Sequence, residues 1–271
     1  MSIRRYELQQ PHRGHAGFTL VEIAIVLVVA ALVLGAVLVP LAGQIESRRI
    51  RDAREKIEEV KEAVLGFAGA NGRLPCPAAA SSNGKESFCT TASGGCSVTT
   101  TAPTHGRCSN FFDGYLPAAT LGISPTDSSG FGLDPWESQS SRWRYAVSDK
   151  TIATINYALT APNGIRGAGA ANIAQEKLLF VCARGGSTTA SSCGATVPAL
   201  ADQAPIVIWS VGRNASAAGV SADEQENGDA DTFFVSHDVT DASGPAGEFD
   251  DIVGWLSLHV LLSRMLSAGQ L

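Results

Sequence analysis

Gly17-Phe18-Thr19-Leu20-Val21-Glu22 opens the apolar run whose reading decides the fold. From Ile23 to Leu41 there are 19 residues without a charge, and as a helix they extend about 28 Å, roughly one hydrocarbon core. Ile23 to Leu34 is apolar without interruption. A single carboxylate, Glu22, stands at the mouth of this run, and Arg4, Arg5 and Arg13 precede it. A carboxylate beside a hydrocarbon-length helix costs a few kcal/mol to insert, so it calls for a partner. Phe18 and Glu22 are four residues apart and share a helix face.

This arrangement resembles the N-terminus of type IV pilins and of the pseudopilins of type II secretion. The resemblance rests on a short basic leader ending in Gly17, on Phe18 at the first mature position, on Glu22 four residues later, and on the hydrophobic helix that follows. It implies cleavage between Gly17 and Phe18 by a prepilin peptidase, followed by N-methylation of Phe18. It also implies pairing of Glu22 in one subunit with the Phe18 ammonium of a neighbour during filament assembly. A buried pair of this kind sets register more surely than it adds stability. The plain alternative is that Glu22 marks the interfacial edge of an ordinary signal anchor.

The resemblance divides the chain into a leader at 1–17, a transmembrane and filament-core helix at 18–41, an amphipathic helix at 42–71, and a globular head at 72–271. Because the apolar segment follows the cut, it is retained, unlike that of a secretory signal peptide. The leader arginines hold that end in the cytoplasm, so a single pass through the inner membrane puts the head in the periplasm or in an extracellular filament.

Composition agrees with an exported, loop-rich head. The chain has 271 residues and a formal charge of −6; without the leader's three Arg and one Glu, 17 basic and 25 acidic residues remain, a net of −8. An acidic chain without a basic patch argues against nucleic-acid binding. Arg48–Arg54 reads as a solvated helix face rather than a lipid or DNA patch.

Beyond the apolar run, Ile45, Ile50, Ile57, Val60, Val64, Leu65 and Ala68 recur at helical spacing, with charged residues filling the other faces. Asp52–Lys56 and Glu58–Lys61 supply paired charges, and Asn71-Gly72 reads as the helix stop. Residues 78–110 are low-complexity Ser, Thr, Gly and Ala with little core-forming content. β-prone runs follow at 143–147, 152–157, 177–182, 206–211 and 232–235, those at 177–182 and 206–211 being apolar on both faces. Ile252 to Leu266 is apolar with Trp255 and Leu256 spaced from Ile252 as on a helix, and reads equally as a short strand at 252–257 followed by a helix, the preferred reading. The fold class is therefore α+β: a long N-terminal helix packed on an antiparallel sheet of four or five strands, with long disulfide-stapled loops.

Six cysteines in an exported head indicate disulfides. Cys182 and Cys193 flank a Gly/Ser/Thr loop and read as a local pair, leaving Cys76, Cys89, Cys96 and Cys108 to pair among themselves. No Cys-x-x-Cys is present and His105 is the nearest His, so a zinc site is disfavoured.

Acidic residues concentrate late in the chain. Asp223, Glu224, Glu226, Asn227, Asp229 and Asp231 read as a loop after Ser210-Val211-Gly212-Arg213-Asn214, and Glu248-Phe249-Asp250-Asp251 follows. The major pseudopilins carry a calcium site built from a Ser-x-Gly-x-Asp-like turn and a later Asp-Asp. The resemblance thus implies calcium at Ser210, Asn214, Asp250 and Asp251, with Asn214 where the family has Asp. Asp134-Pro135-Trp136 followed by Arg144-Tyr145 is similar to another family stretch, with Glu137 in place of its Gly. Calcium takes six to eight oxygens, which this set can supply; the plain alternative is a solvated acidic loop. No Gly-x-Ser-x-Gly elbow, His-Glu-x-x-His or phosphate loop is present, and His237-Asp238 and His259 lack the company of a triad.

These features imply a structural rather than enzymatic chain. It reads as a prepilin-like subunit of a type IV pilus or type II secretion pseudopilus, in a minor role given its size. Its partners would be a prepilin peptidase, other pilin or pseudopilin subunits, the inner-membrane assembly platform and membrane lipid. The alternative is a signal-anchored periplasmic binding or adhesion domain that does not polymerise.

Overall fold

The computed structural model describes residues 19–136, 141–185, 192–214, 221–244 and 246–271, with the side chains of 36–42 outside the description. The chain forms two compact units, 1–48 and 49–271. A helix, α1 (Leu20–Asn71), begins in the first unit and ends in the second. It is followed by β1 (Phe88–Cys89), β2 (Val98–Thr99), β3 (Gly114–Tyr115), α2 (Ala118–Leu121), β4 (Arg144–Val147), α3 (Gly164–Ala168) and α4 (Ala170–Ile173). The second half contains β5 (Leu179–Cys182), β6 (Ala199–Ala204), β7 (Ile206–Ser210), α5 (Ala222–Gly228), β8 (Phe233–Val235), β9 (Ile252–Trp255) and α6 (Leu258–Ser267).

In the first unit, the described side chains of α1 from Leu20 to Leu34 are exposed on every face. Among the described residues no helix is long and apolar enough to cross a membrane. The uncharged sequence runs on through residues 36–42, whose side chains lie outside the description.

In the second unit, Ala53, Ile57, Val60, Val64, Leu65 and Ala68 of α1 are buried. They form one stripe at helical spacing, and each large side chain there contributes about 1.5–3 kcal/mol of apolar burial. The charged positions stay outside. Lys61 pairs with Glu58 at 2.7 Å as its spacing predicts, whereas Lys56 chooses Glu59 at 2.8 Å over Asp52. Ile45, expected on the apolar stripe, is exposed, while Ala53, small enough to be overlooked, is fully buried. The helix stops at Asn71; Gly72 takes φ +68°, a left-handed conformation that glycine adopts without a Cβ penalty.

Two sheets and a hairpin replace the single sheet expected. The first sheet has the order β3-β4-β7-β9 and is antiparallel throughout. The second has the order β6-β5-β8, with β5–β6 antiparallel and β5–β8 parallel. Strand alternation distributes β7 between two cores. Ile206 and Ile208 join the α1 stripe, while Val207 and Trp209 meet Leu179, Val181 and Phe234 of the second sheet. The first sheet is therefore covered on both faces, which is why β7 is buried at every position and apolar at all but its terminal Ser210. α1 comes so close to β9 that a Cβ on Gly254 would lie 2.4 Å from Ile57 Cγ2.

One expected strand is absent and one strand goes unannounced, each for an identifiable reason. Residues 152–157 form no strand: Ile152 and Ile155 bridge each other, and Ala153, Thr154 and Tyr157 take φ of 47°, 71° and 52°. The apolar content there serves burial of Ile152 and stacking of Tyr157 on Phe111 at 5.3 Å. β6, with the sequence Ala199-Leu200-Ala201-Asp202-Gln203-Ala204, carries too little apolar pattern to announce itself, yet it pairs along β5. The strand-then-helix reading after Ile252 is borne out by β9 and α6.

The disulfides are Cys76–Cys108, Cys89–Cys96 and Cys182–Cys193. The first ties the exit from α1 to the end of the low-complexity segment. The second closes the β1–β2 hairpin, and the third caps a small cluster containing Phe180 and Phe233. The segment 78–110 is not devoid of core: Ala78, Phe88, Cys89 and Cys108 are buried.

Candidate functional site

Two places carry the residues singled out by the sequence, one in each unit. At the N-terminal end, Gly17 and Phe18 lie outside the described residues. Glu22 occupies the first turn of α1 and forms a reciprocal cap with Thr19. Thr19 Oγ1 accepts from Glu22 N at 3.2 Å, and Glu22 Oε2 accepts from Thr19 N at 3.2 Å and from Thr19 Oγ1 at 3.3 Å. This Thr-x-x-Glu capping box gives the Glu22 carboxylate a local partner in the isolated chain. Such a cap stabilises by about 0.5–2 kcal/mol, a modest amount for a carboxylate to give up in exchange for a cation. A helix apolar on all faces, as α1 is from Ile23 to Leu34, suits hydrocarbon or a bundle of like helices.

In the head, the acidic residues of two separate segments converge. The turn after β7 wraps over Asp250, where Arg213 N and Asn214 N donate to Asp250 Oδ2 at 2.9 and 3.2 Å. Gly212 makes the turn possible: its φ is +65°, and a Cβ there would lie 2.3 Å from Asp250 Oδ1 and 2.5 Å from the Asp250 main-chain oxygen. Of the residues expected to form an acidic loop, Asp223, Glu224, Glu226 and Asn227 instead lie in α5, because Ser221 caps it by accepting from Glu224 N at 3.2 Å, while Asp229 and Asp231 follow the helix. The cap turns Glu224 inward, so that Glu224 Oε1 accepts from Asn214 Nδ2 at 2.9 Å and from Asp250 N at 3.1 Å. Asn227, one turn on, fixes Asp251 by donating to Asp251 Oδ2 at 2.7 Å.

One carboxylate oxygen from each of Glu224, Asp250 and Asp251 lies within 4.8 Å of the others, and all three residues are buried. Ser210, at the end of β7, is buried nearby with its hydroxyl donating to Asp134 Oδ2. Glu224 was missed as a site residue; its capping signature, Ser221 three residues before it, was legible in the sequence. A cavity of about 300 Å³ borders the cluster, lined by Glu224, Asp251, Asn214, Asp113, Arg144 and Trp209 among others. The other titratable candidates go elsewhere. His237 Nε2 contacts Asp223 Oδ2 at 3.1 Å and its ring stacks on Phe249 at 3.9 Å, and His259 is exposed on α6.

Crowding three buried carboxylates has an electrostatic consequence. Burial, then the charge of Glu224, pushes Asp250 up to about 6. Burial pushes Asp251 up to about 8, with Glu224 and Asp250 adding to the effect against the lowering Asn227 hydrogen bond. Asp250 Oδ1 is buried with no hydrogen-bond partner. Glu224 and Asp251 line the polar cavity, while the orphaned Asp250 Oδ1 packs against Gly212; an oxygen-only set of this kind fits a hard divalent cation such as calcium.

The sign of the pH dependence follows. Both carboxyls bind their protons more tightly folded than unfolded, so their contribution is fully present below the unfolded value of about 4 and is lost as pH rises through 6 and then 8. In chelator, thermal unfolding of the protein is expected to shift to lower temperature between about pH 5 and about pH 9. Calcium at the upper end is expected to reverse the shift. A melting temperature that stays level across this range in chelator contradicts the crowding described.

Residues 12–38 match the family described as the prokaryotic N-terminal methylation motif, the signature of prepilin-type cleavage in type IV pilins and pseudopilins. The chain thus carries a prepilin-type N-terminus ahead of an α+β, disulfide-bonded head. No curated protein and no solved structure matches the chain.

Proposed function

We propose that this chain is a prepilin-like structural subunit, cut between Gly17 and Phe18, N-methylated at Phe18, and assembled as a minor component of a type IV pilus or type II secretion pseudopilus. The observation that carries the reading is the methylation motif at 12–38 joined to a helix whose apolar side chains from Leu20 to Leu34 are exposed on every face. Residues 18–41 anchor the precursor in the inner membrane and become helical filament core, with the head at 72–271 on the outer side. Glu22 exchanges its capping partner Thr19 for the Phe18 ammonium of a neighbouring subunit. The chain acts by assembly and has no catalytic role.

The test is the N-terminal sequence and intact mass of the protein, expressed with and without a prepilin peptidase. A chain beginning at methylated Phe18 only when the peptidase is present is the expected result. An uncut Met1 terminus, or a cut elsewhere in both samples, overturns the reading and favours an anchored binding or adhesion domain that does not polymerise.

A second reading concerns the head alone. The orphaned Asp250 Oδ1 among three buried carboxylates favours a divalent cation held between the 210–214 turn and Asp250-Asp251. The cation would be calcium by the oxygen-only donor set, and it would neutralise charges that otherwise require protons.

A further inference from the structure

We infer that the outer edge of β9 is an interaction surface that takes the β1–β2 hairpin of a second copy of this chain by strand addition, with Val98 set opposite Trp255. The inference concerns the heads alone and goes beyond the processing and assembly reading. β9 ends the first sheet, with Val207 opposite Trp255 and Trp209 opposite Val253. Just past this ladder Leu256 N donates to Ile206 O at 3.3 Å. Bonded and non-bonded pairs alternate in an antiparallel ladder. Ile252 and Gly254 therefore also turn their main-chain groups to β7, and Val253 and Trp255 turn theirs outward. Among the described residues nothing hydrogen-bonds these outward groups.

Exposed strand edges invite pairing and are ordinarily blunted. The other edges of the two larger sheets obey this. β3 is two residues long, and its Tyr115 exchanges both main-chain bonds with Ala78 at 2.8 and 2.9 Å. β8 is covered by Asp231, which accepts from Phe233 N at 2.6 Å, and by Asn227, which accepts from Val235 N at 2.7 Å and donates to Val235 O at 3.2 Å. β6 carries Asp202, paired with Lys177, and its register against β5 shifts along the strand. β9, with the sequence Ile252-Val253-Gly254-Trp255, has no charge, no proline and an unbroken register.

β2 offers the matching edge. Thr90 N donates to Ser97 O at 3.0 Å, so by the same alternation Val98 turns its N–H and C=O away from β1, where no described residue bonds them. The Val98 side chain is 47% exposed, and docking would cover it. The Cys89–Cys96 disulfide staples the hairpin, so little freedom is left to lose on binding. Ser97 to Thr101 is uncharged. That suits the groove of about 600 Å³ between α1 and β9, where Arg54 and Lys61 are balanced by Glu55 and Glu58. With Val98 opposite Trp255, the two residues exchange a pair of main-chain bonds. Thr99 then faces Gly254, the one position of β9 without a side chain, and Thr100 follows opposite Val253. The hairpin and the β9 edge are different surfaces, so the contact is heterologous and repeats from copy to copy.

The test is sedimentation velocity of the full chain in detergent, with micelles in excess over chains. Wild type is expected to form species larger than a dimer as its concentration rises. Val98→Pro and Val253→Pro each remove one outward N–H and no ladder bond, and each alone is expected to associate at least about tenfold more weakly. Mixed in equal amounts, the two variants are expected to form a dimer and nothing larger, because one supplies an intact β9 and the other an intact hairpin. That mixed dimer also shows that both variants fold. Should either proline prevent folding, Val98→Lys and Val253→Lys block the same edges and the same mixing experiment decides. A wild-type dimer unaffected by Val98→Pro assigns the edge to β9–β9 pairing and overturns the inference. A mixture without a dimer overturns it too, as does a wild type that stays monomeric up to about 1 mM. None of these outcomes bears on cleavage between Gly17 and Phe18.

Discussion

A Glu22→Ala chain is expected to be cut after Gly17 as the parent is, yet to be absent from sheared filaments. Two losses accompany this substitution and their sizes differ. Losing the capping box with Thr19 costs about 0.5–2 kcal/mol at one helix end. Leaving the Phe18 ammonium of a neighbour buried without its counter-charge costs about 3–5 kcal/mol per contact, more than a hundredfold in association. Thr19→Ala separates the two, because it removes the cap and retains the carboxylate. Immunoblots of sheared filaments are expected to show Thr19→Ala incorporated close to the parental level and Glu22→Ala missing. Equal loss in both variants would assign Glu22 to helix capping and remove the assembly pairing from the proposal.

Arg73→Ala is expected to destabilise the head by about 3–5 kcal/mol, the largest single effect predicted away from the N-terminal helix. Arg73 and Glu86 form a buried two-pronged pair, at 2.8 Å from Nη1 to Oε2 and 2.7 Å from Nη2 to Oε1. The guanidinium lies over Phe67 of α1 at 5.1 Å and Phe88 of β1 at 5.3 Å, and Glu86 Oε2 also accepts from Cys76 N at 3.3 Å. The pair thus joins the end of α1, the Cys76–Cys108 disulfide and the low-complexity segment. Removing the cation leaves a buried carboxylate with no counter-charge, which costs far more than the pair's net contribution. The double change Arg73→Met with Glu86→Leu is expected to recover most of the loss, since no charge is then stranded. Chemical denaturation with disulfides intact measures both; a single change costing less than about 1 kcal/mol would mean that water reaches the pair.

The parts of this protein legible from its sequence are those whose signal is local. Phe18, Glu22 and the uncharged run that follows are contiguous, and the helix stop at Asn71-Gly72 needs only a turn residue after a periodic stripe. β7 reads as a central strand because a strand buried on both faces has no polar alternation to obscure it. Cys182 and Cys193 pair across a short polar loop. Where the local signal is weak or serves another purpose, reading fails. β6 is a strand because it pairs along β5, not because Ala199-Leu200-Ala201-Asp202 favours extension. Residues 152–157 have β-prone composition, yet burial of Ile152 and the Tyr157–Phe111 stack hold them in a turn.

The sequence by itself therefore determined the class of N-terminus, the long helix and the strand-rich head, and it pointed to Cys182 with Cys193 while leaving the other four cysteines open. Ser221 three residues before Glu224 is a local cap signature, but only the tertiary structure decided that the helix it opens turns Glu224 onto Asp250 and Asp251. It alone decided that the Asn214 amide presents its donor to that carboxylate. The reason is physical: a cap or an apolar stripe is an interaction among residues a few positions apart, whereas a cluster of buried carboxylates is a convergence in space. Glu224 and Asp250 are separated by 26 positions, and nothing in their local spacing encodes the 3.1 Å contact between Glu224 Oε1 and Asp250 N.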